Sequence, residues 1–160
     1  MVINMKNIYE EFGRWISILY RQFQIFINNE LKDLNITSGE YIYLIKLYEN
    51  KELTQEDLAE IYYIDKAAIT RSIRSLEDKG YIKRIKNQRD KRSYRIQVTD
   101  KALKVKHRIY NALKSWDDLI SSDVNDDELK MLSNVLKNMS LKSLHGNQKG
   151  DDICENKQEV

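Results

Sequence analysis

Eleven of the chain's 27 lysines and arginines lie between Lys66 and Arg95: Lys66, Arg71, Arg74, Lys79, Lys83, Arg84, Lys86, Arg89, Lys91, Arg92 and Arg95. Only Glu77, Asp78 and Asp90 oppose them there. The window therefore carries +8, although the whole chain is nearly neutral at +2 and the remainder is −6. Cations at that density suit a polyanion, because each phosphate they neutralise releases a condensed counterion. They also suit a plain solvated helix face, so spacing has to decide between the two. Other chemistry has little material. The single cysteine, Cys154, excludes an internal disulfide framework and a cysteine-built zinc site, and the two histidines, His107 and His145, are far apart. With no phosphate-binding glycine loop and no nucleophile beside a base, neither enzymatic activity nor a cofactor is expected.

The elements that space these residues are mostly helical. Asp65 is placed to cap a helix running to Lys79, in which Ile69, Ile73 and Leu76 fall at i, i+4 and i+7. Gly80 then supplies the left-handed residue that commonly ends a helix. Opposite the apolar positions stand Lys66, Ala67, Thr70, Arg71, Arg74 and Ser75. Upstream, Thr54 with Asp57 opens a short helix with Leu58, Ile61 and Tyr62 inward. Before that, Thr37 with Glu40 gives the reciprocal capping pattern for a helix from Ser38 or Gly39 to about Glu49, with Tyr41, Leu44, Ile45 and Tyr48 as its apolar face.

After Gly80 the period changes. Tyr94, Ile96 and Val98 alternate with polar residues and predict a strand; Ile82 to Lys86 is a weaker strand, since Ile82 and Ile85 do not share a face. The polar segment Asn87 to Ser93 joins them as a hairpin with a basic tip. Flanking this core are long helices. One spans about 5–33, with a stripe through Phe12, Trp15, Ile16, Leu19, Phe23, Phe26, Ile27 and Leu31. At roughly 40 Å it is longer than a small domain needs to cover its own core. A second begins at Thr99 or Asp100, and Asn125 with Glu128 caps a last one carrying Leu129, Leu132, Leu136 and Met139. From His145 the sequence is nearly devoid of apolar residues, and 145–160 is expected to be a disordered tail.

The composition fits this organisation. With 160 residues, 41% hydrophobic and 32% charged, five glycines and no proline, the chain can fill a core but has little material for the tight turns of a β-sandwich. The expected class is mainly α with a small β-wing. No signal peptide or membrane segment is evident, so a cytoplasmic protein is expected.

Two short helices followed by a basic hairpin is the layout of a winged helix-turn-helix, which places its second helix in the major groove of duplex DNA. The stretch IDKAAITRSIRSLEDKGYIKRIKNQRDKRSYRIQVTDKA resembles the DNA-binding core of the MarR (multiple antibiotic resistance regulator) family of bacterial transcription factors. Asp90, Lys91, Arg92 and Ser93 match its D-x-R-S wing signature, and Leu76, Glu77 and Gly80 stand in the expected places. The resemblance in element order extends from about residue 6 to 144. It implies one domain over 1–144, with a winged core at about 37–99 and dimerisation helices at about 5–33 and 100–144.

The roles it implies are specific. Lys66, Thr70 and Arg71 would face the major groove, with Arg74 a phosphate contact. Arg92 would enter the minor groove, held in shape by Asp90, while Lys83, Arg84, Lys86, Arg89 and Lys91 would add affinity independent of sequence. The partners implied are double-stranded DNA, a second copy of the chain, and a small aromatic or lipophilic effector, for which Tyr20, Tyr41 and Tyr48 are candidates beside Phe23, Tyr43, Tyr110 and Trp116; no membrane is implied. The implied function is a ligand-modulated repressor binding a pseudo-palindromic operator as a homodimer. A winged-helix module presenting its basic face to an acidic protein is the alternative. The peroxide-sensing branch of the family uses a cysteine early in the first helix, which this chain lacks.

Overall fold

The computed structural model describes residues 5–50, 52–86 and 93–155, with side-chain surroundings for those between 11 and 144. The elements run α1 (Met5–Glu30), a 3-10 turn (Lys32–Leu34), α2 (Tyr41–Glu49), α3 (Gln55–Tyr62), α4 (Lys66–Asp78), β1 (Ile82–Lys86), β2 (Tyr94–Val98), α5 (Asp100–Ile120) and α6 (Asp126–Glu155). This is the mainly α architecture with a two-stranded wing that the sequence predicts.

Local chemistry sets most of the boundaries. Thr54 and Asp57 form both halves of a capping box at α3: the Thr54 hydroxyl accepts from the Asp57 N–H, and the Asp57 carboxylate accepts from the Thr54 N–H. The Asp65 carboxylate accepts from the amides of Ala67 and Ala68 and starts α4. Gly80, at φ +77°, ends it. Asn125 and Glu128 cap α6 reciprocally. At α2 only half of the expected box forms. The Thr37 N–H donates to Glu40, but Glu40 itself is the N-cap, and the helix begins at Tyr41 because the amides of Glu40 and Tyr41 both fold back onto the Thr37 carbonyl.

β1 and β2 pair antiparallel, with Arg84 opposite Ile96. Leu53, between α2 and α3, adds a single bridge: its carbonyl accepts from the Ile96 N–H at 2.7 Å. Ile96 is fully buried between the wing and the helices, against a core that includes Leu44, Leu58, Ile69, Ile73 and Leu76. The hydroxyls of Tyr48, Tyr62 and Tyr81 pin the elements by donating to the backbone carbonyls of Ala102, Ile42 and Leu34 respectively. Burial raises the Tyr62 phenol to about 12, so it stays a donor at any physiological pH.

The chain divides into two compact units, Met1–Trp116 and Asp117–Val160. The division falls at Trp116, beyond which none of the described residues is buried. Helix α6 also runs past 144 to Glu155, into the segment expected to be irregular; no proline stops it, and each further residue adds a hydrogen bond to an existing helix. Among the described residues no helix is long and apolar enough to cross a membrane.

Candidate nucleic-acid interface

Helix α4 is amphipathic with a sharp division. Ile69, Ile73 and Leu76 are fully buried, whereas Lys66, Ala67, Thr70, Arg71 and Arg74 are exposed on the other side. Its capped first turn leaves Ala67 with no bulk beyond a methyl, so the helix start can approach a surface closely. The Thr70 hydroxyl donates to the Lys66 carbonyl at 2.7 Å. Its donor is therefore occupied within the helix, and what it offers outward is a methyl group and lone pairs. Ser75, read from the sequence as outward, is half-buried and hydrogen-bonds Glu40 instead.

The basic window is less uniform than its composition suggests. Lys79 reaches the buried Glu40 carboxylate with contacts of 2.7 and 2.8 Å. Burial pushes the Glu40 carboxyl upward, but hydrogen bonds from Lys79, Ser75 and the Thr37 amide outweigh it and hold the group below the usual carboxylate range. Arg84 Nε lies 2.8 Å from Glu77, and Arg95 pairs with Glu52. These three cations are spent within the fold. Lys66, Arg71, Arg74, Lys83 and Lys86 have no carboxylate partner among the described residues and are exposed. They lie on one face of α4 and on β1, the elements that a winged helix lays against a duplex.

The wing residues Arg89, Asp90, Lys91 and Arg92 lie outside the described residues. The base of the wing is well set: Arg84 is held by Glu77 of α4, and the Thr99 hydroxyl donates to the Gly80 carbonyl at 2.7 Å. Lys101 donates to the Lys79 carbonyl at the end of α4 and sits 4.4 Å above the Tyr81 ring. The α4-to-β1 corner is thereby clamped from α5.

Among the described residues the aromatic candidates have different ring neighbours. Tyr20 is exposed, and Tyr41 meets Phe23 edge-on while Phe23 and Phe26 pack on Trp116. Tyr43 is buried against Tyr62. Tyr48, two turns from Tyr41 along α2, lies tilted beside Tyr110 with ring centroids 6.4 Å apart, and the Lys106 ammonium lies over both rings. Tyr48 borders a cleft of about 300 Å³, together with Leu47, Gln97, Val98 and Leu103. His107 is exposed.

Sequence reasoning missed Glu40 as a buried acid and the pairings that remove Arg84 and Arg95 from the free basic face. Glu40 carried a partial signal, since an acid at the third position of a capping pattern is already committed to a backbone amide.

Comparison with known proteins agrees with this architecture. The family model described as the MarR family matches residues 36–94. The HTH-type transcriptional regulator BilQ of Clostridioides difficile (strain CD3) is 35% identical over 131 residues, covering 81% of this chain and 88% of that protein. Among solved structures, a MarR transcriptional regulator from Methanosarcina mazei Go1 superposes with a TM-score of 0.78 at 32% identity, over 85% of this chain and 98% of that one. A MarR family transcriptional regulator from Listeria monocytogenes, complexed with 26mer DNA, gives 0.78 at 27% identity, over 83% and 89%. A chain this similar over nearly the full length of such relatives, with the same winged architecture, belongs to the MarR family.

Proposed function

We propose that this chain is a transcriptional regulator that binds double-stranded DNA sequence-specifically, as a homodimer on a pseudo-palindromic operator, and acts as a repressor. The observation that carries this reading is the exposed face of α4, where Lys66, Thr70, Arg71 and Arg74 stand together, the three cations without carboxylate partners among the described residues, opposite a fully buried apolar face. Arg71, with Thr70 and Lys66, reads base edges, and Arg74 takes a phosphate. Lys83 and Lys86 add salt-dependent affinity. The family resemblance assigns Arg92 to the minor groove and Asp90, Arg89 and Lys91 to the wing around it. The relatives named above are regulators, the Listeria monocytogenes one solved on DNA, and we assign no catalytic chemistry.

Two apolar faces support a dimer. On α1, Phe12, Trp15, Ile16 and Leu19 are exposed, and a Cβ built on Gly13 among them meets nothing within 4 Å. On α6, Met131, Leu132, Val135, Leu136 and Met139 are exposed. Single soluble chains rarely leave apolar stripes of that length open, and a second copy is the simplest cover. The cleft beside Tyr48 is where we place a small aromatic or lipophilic effector; its size is at the low end for ligand pockets.

The test is a salt titration. The purified chain, sized as a dimer at micromolar concentration, should bind duplex DNA from upstream of its own gene with an affinity that falls linearly in log–log form as salt rises. A monomer would contradict the dimer, and salt-insensitive or absent binding would favour an acidic protein as partner instead.

A further inference from the structure

The left-handed turn that closes α3, with the amides of Tyr63 and Ile64 both on the Ala59 carbonyl, is occupied by a residue type that the fold does not require. Tyr63 ends α3 in the left-handed region, at φ 52° and ψ 43°. Glycine is the usual occupant of such a position, and a bulky aromatic there is an outlier held at the expense of stability. The side chain does not repay this by packing. Tyr63 is 61% exposed, makes no ring contact, and its hydroxyl has no partner among the described residues. A large polar aromatic kept in a strained turn and pointed at solvent calls for a ligand.

Its position says which. In a helix-turn-helix the first helix crosses the sugar–phosphate backbone and the second enters the groove with its N-terminal residues. Tyr63 is the joint between the two, two residues before Asp65, the cap of α4. The Asp65 carboxylate is turned onto the amides of Ala67 and Ala68, while Tyr63, two residues before it, keeps an exposed side chain with a neutral hydroxyl donor. We propose that the Tyr63 hydroxyl donates a hydrogen bond to a DNA phosphate flanking the groove entered by α4, a contact that anchors the helix start and reads no base. This rests on the DNA-binding reading above.

Two variants test it on short duplexes, one from the upstream region and one of unrelated sequence. Tyr63→Phe keeps the ring and should weaken both complexes by about fivefold per half-site, with an unchanged salt slope, because a neutral donor displaces no counterion. Tyr63→Gly should lower affinity at least as much while making the free protein harder to unfold, its unfolding equilibrium constant falling about fivefold as the left-handed strain is relieved. Weaker binding by a more stable protein is a signature that damage to the fold does not produce. Wild-type affinity in Tyr63→Phe, or a Tyr63→Gly chain less stable than wild type, overturns the assignment alone. Failure of the wild-type chain to bind either duplex overturns the functional reading and this contact with it.

Discussion

Replacing Lys79 by methionine isolates the buried charge pair that, among the described residues, ties the start of α2 to the end of α4. Glu40 is only 4% exposed and receives two contacts from Lys79, at 2.7 and 2.8 Å. Breaking a buried pair by removing one partner typically costs about 3–5 kcal/mol. The Lys79 side chain is 18% exposed, so water reaches its head, and Ser75 and the Thr37 amide still donate to the carboxylate. Both considerations favour the low end, about 3 kcal/mol. For a chain of this length that lowers the melting midpoint by roughly 6–12 °C.

The sign of the pH dependence follows from the same geometry. Glu40 is held below its ordinary value in the fold, so the pair's contribution is present above the unfolded carboxyl pKa and is lost as pH falls through the folded one. Removing Lys79 strips the leading hydrogen bond that lowers the group, and the variant's deficit should shrink in acid as Glu40 protonates. The double variant Glu40→Gln with Lys79→Met removes both charges, keeps an acceptor for the Thr37 amide, and should recover most of the loss. The assay is thermal and urea unfolding followed by circular dichroism at fixed protomer concentration, since the proposed dimer would make apparent stability depend on concentration. A Lys79→Met shift below about 2 °C, or a double variant no better than the single one, would refute the reasoning.

Two further outcomes follow from the free and paired cations and from the open helix faces. Lys83→Gln should reduce the slope of log affinity against log salt by about 0.9 per chain, whereas Arg84→Gln, whose guanidinium is already neutralised by Glu77, should change it less; equal effects would show that the pairing does not persist on DNA. Leu19→Lys, which places a charge in the exposed stripe of α1, should convert the dimer to monomer in analytical ultracentrifugation with the helical signal retained, and a dimer of unchanged stability would remove that stripe from the interface.

What was legible in the sequence was local. The caps at Thr54, Asp65 and Asn125 and the left-handed Gly80 depend on residues within a few positions of each other, and their spacing is enough to read them. Helix α2 was harder. Its sequence YIYLIKLYE is apolar on nearly every side, so periodicity did not single out Tyr43 and Leu47, which are buried, over Ile45 and Tyr48, which are half-buried. Ile61, expected inward, is 38% exposed, because the eight residues of α3 are too few for periodicity to fix its face. The Glu40–Lys79 pair, the Glu52–Arg95 pair and the Leu53–Ile96 bridge join residues about forty positions apart and leave no local signal. They matter to the site because they decide which cations remain outward. The basic face was visible as a charge window, but the cations left without carboxylate partners among the described residues became visible only with the ion pairs in place.

The central claim is that α4 reads sequence, and competition binding tests it most directly. At near-physiological salt the chain should prefer duplex from upstream of its own gene over unrelated duplex by at least about a thousandfold. Arg71→Ala should cut that preference by about tenfold or more, through the loss of a base contact, while leaving affinity for the unrelated duplex much less affected. Equal affinity of the wild-type chain for both duplexes, or an Arg71→Ala variant that weakens both in parallel, would contradict the account.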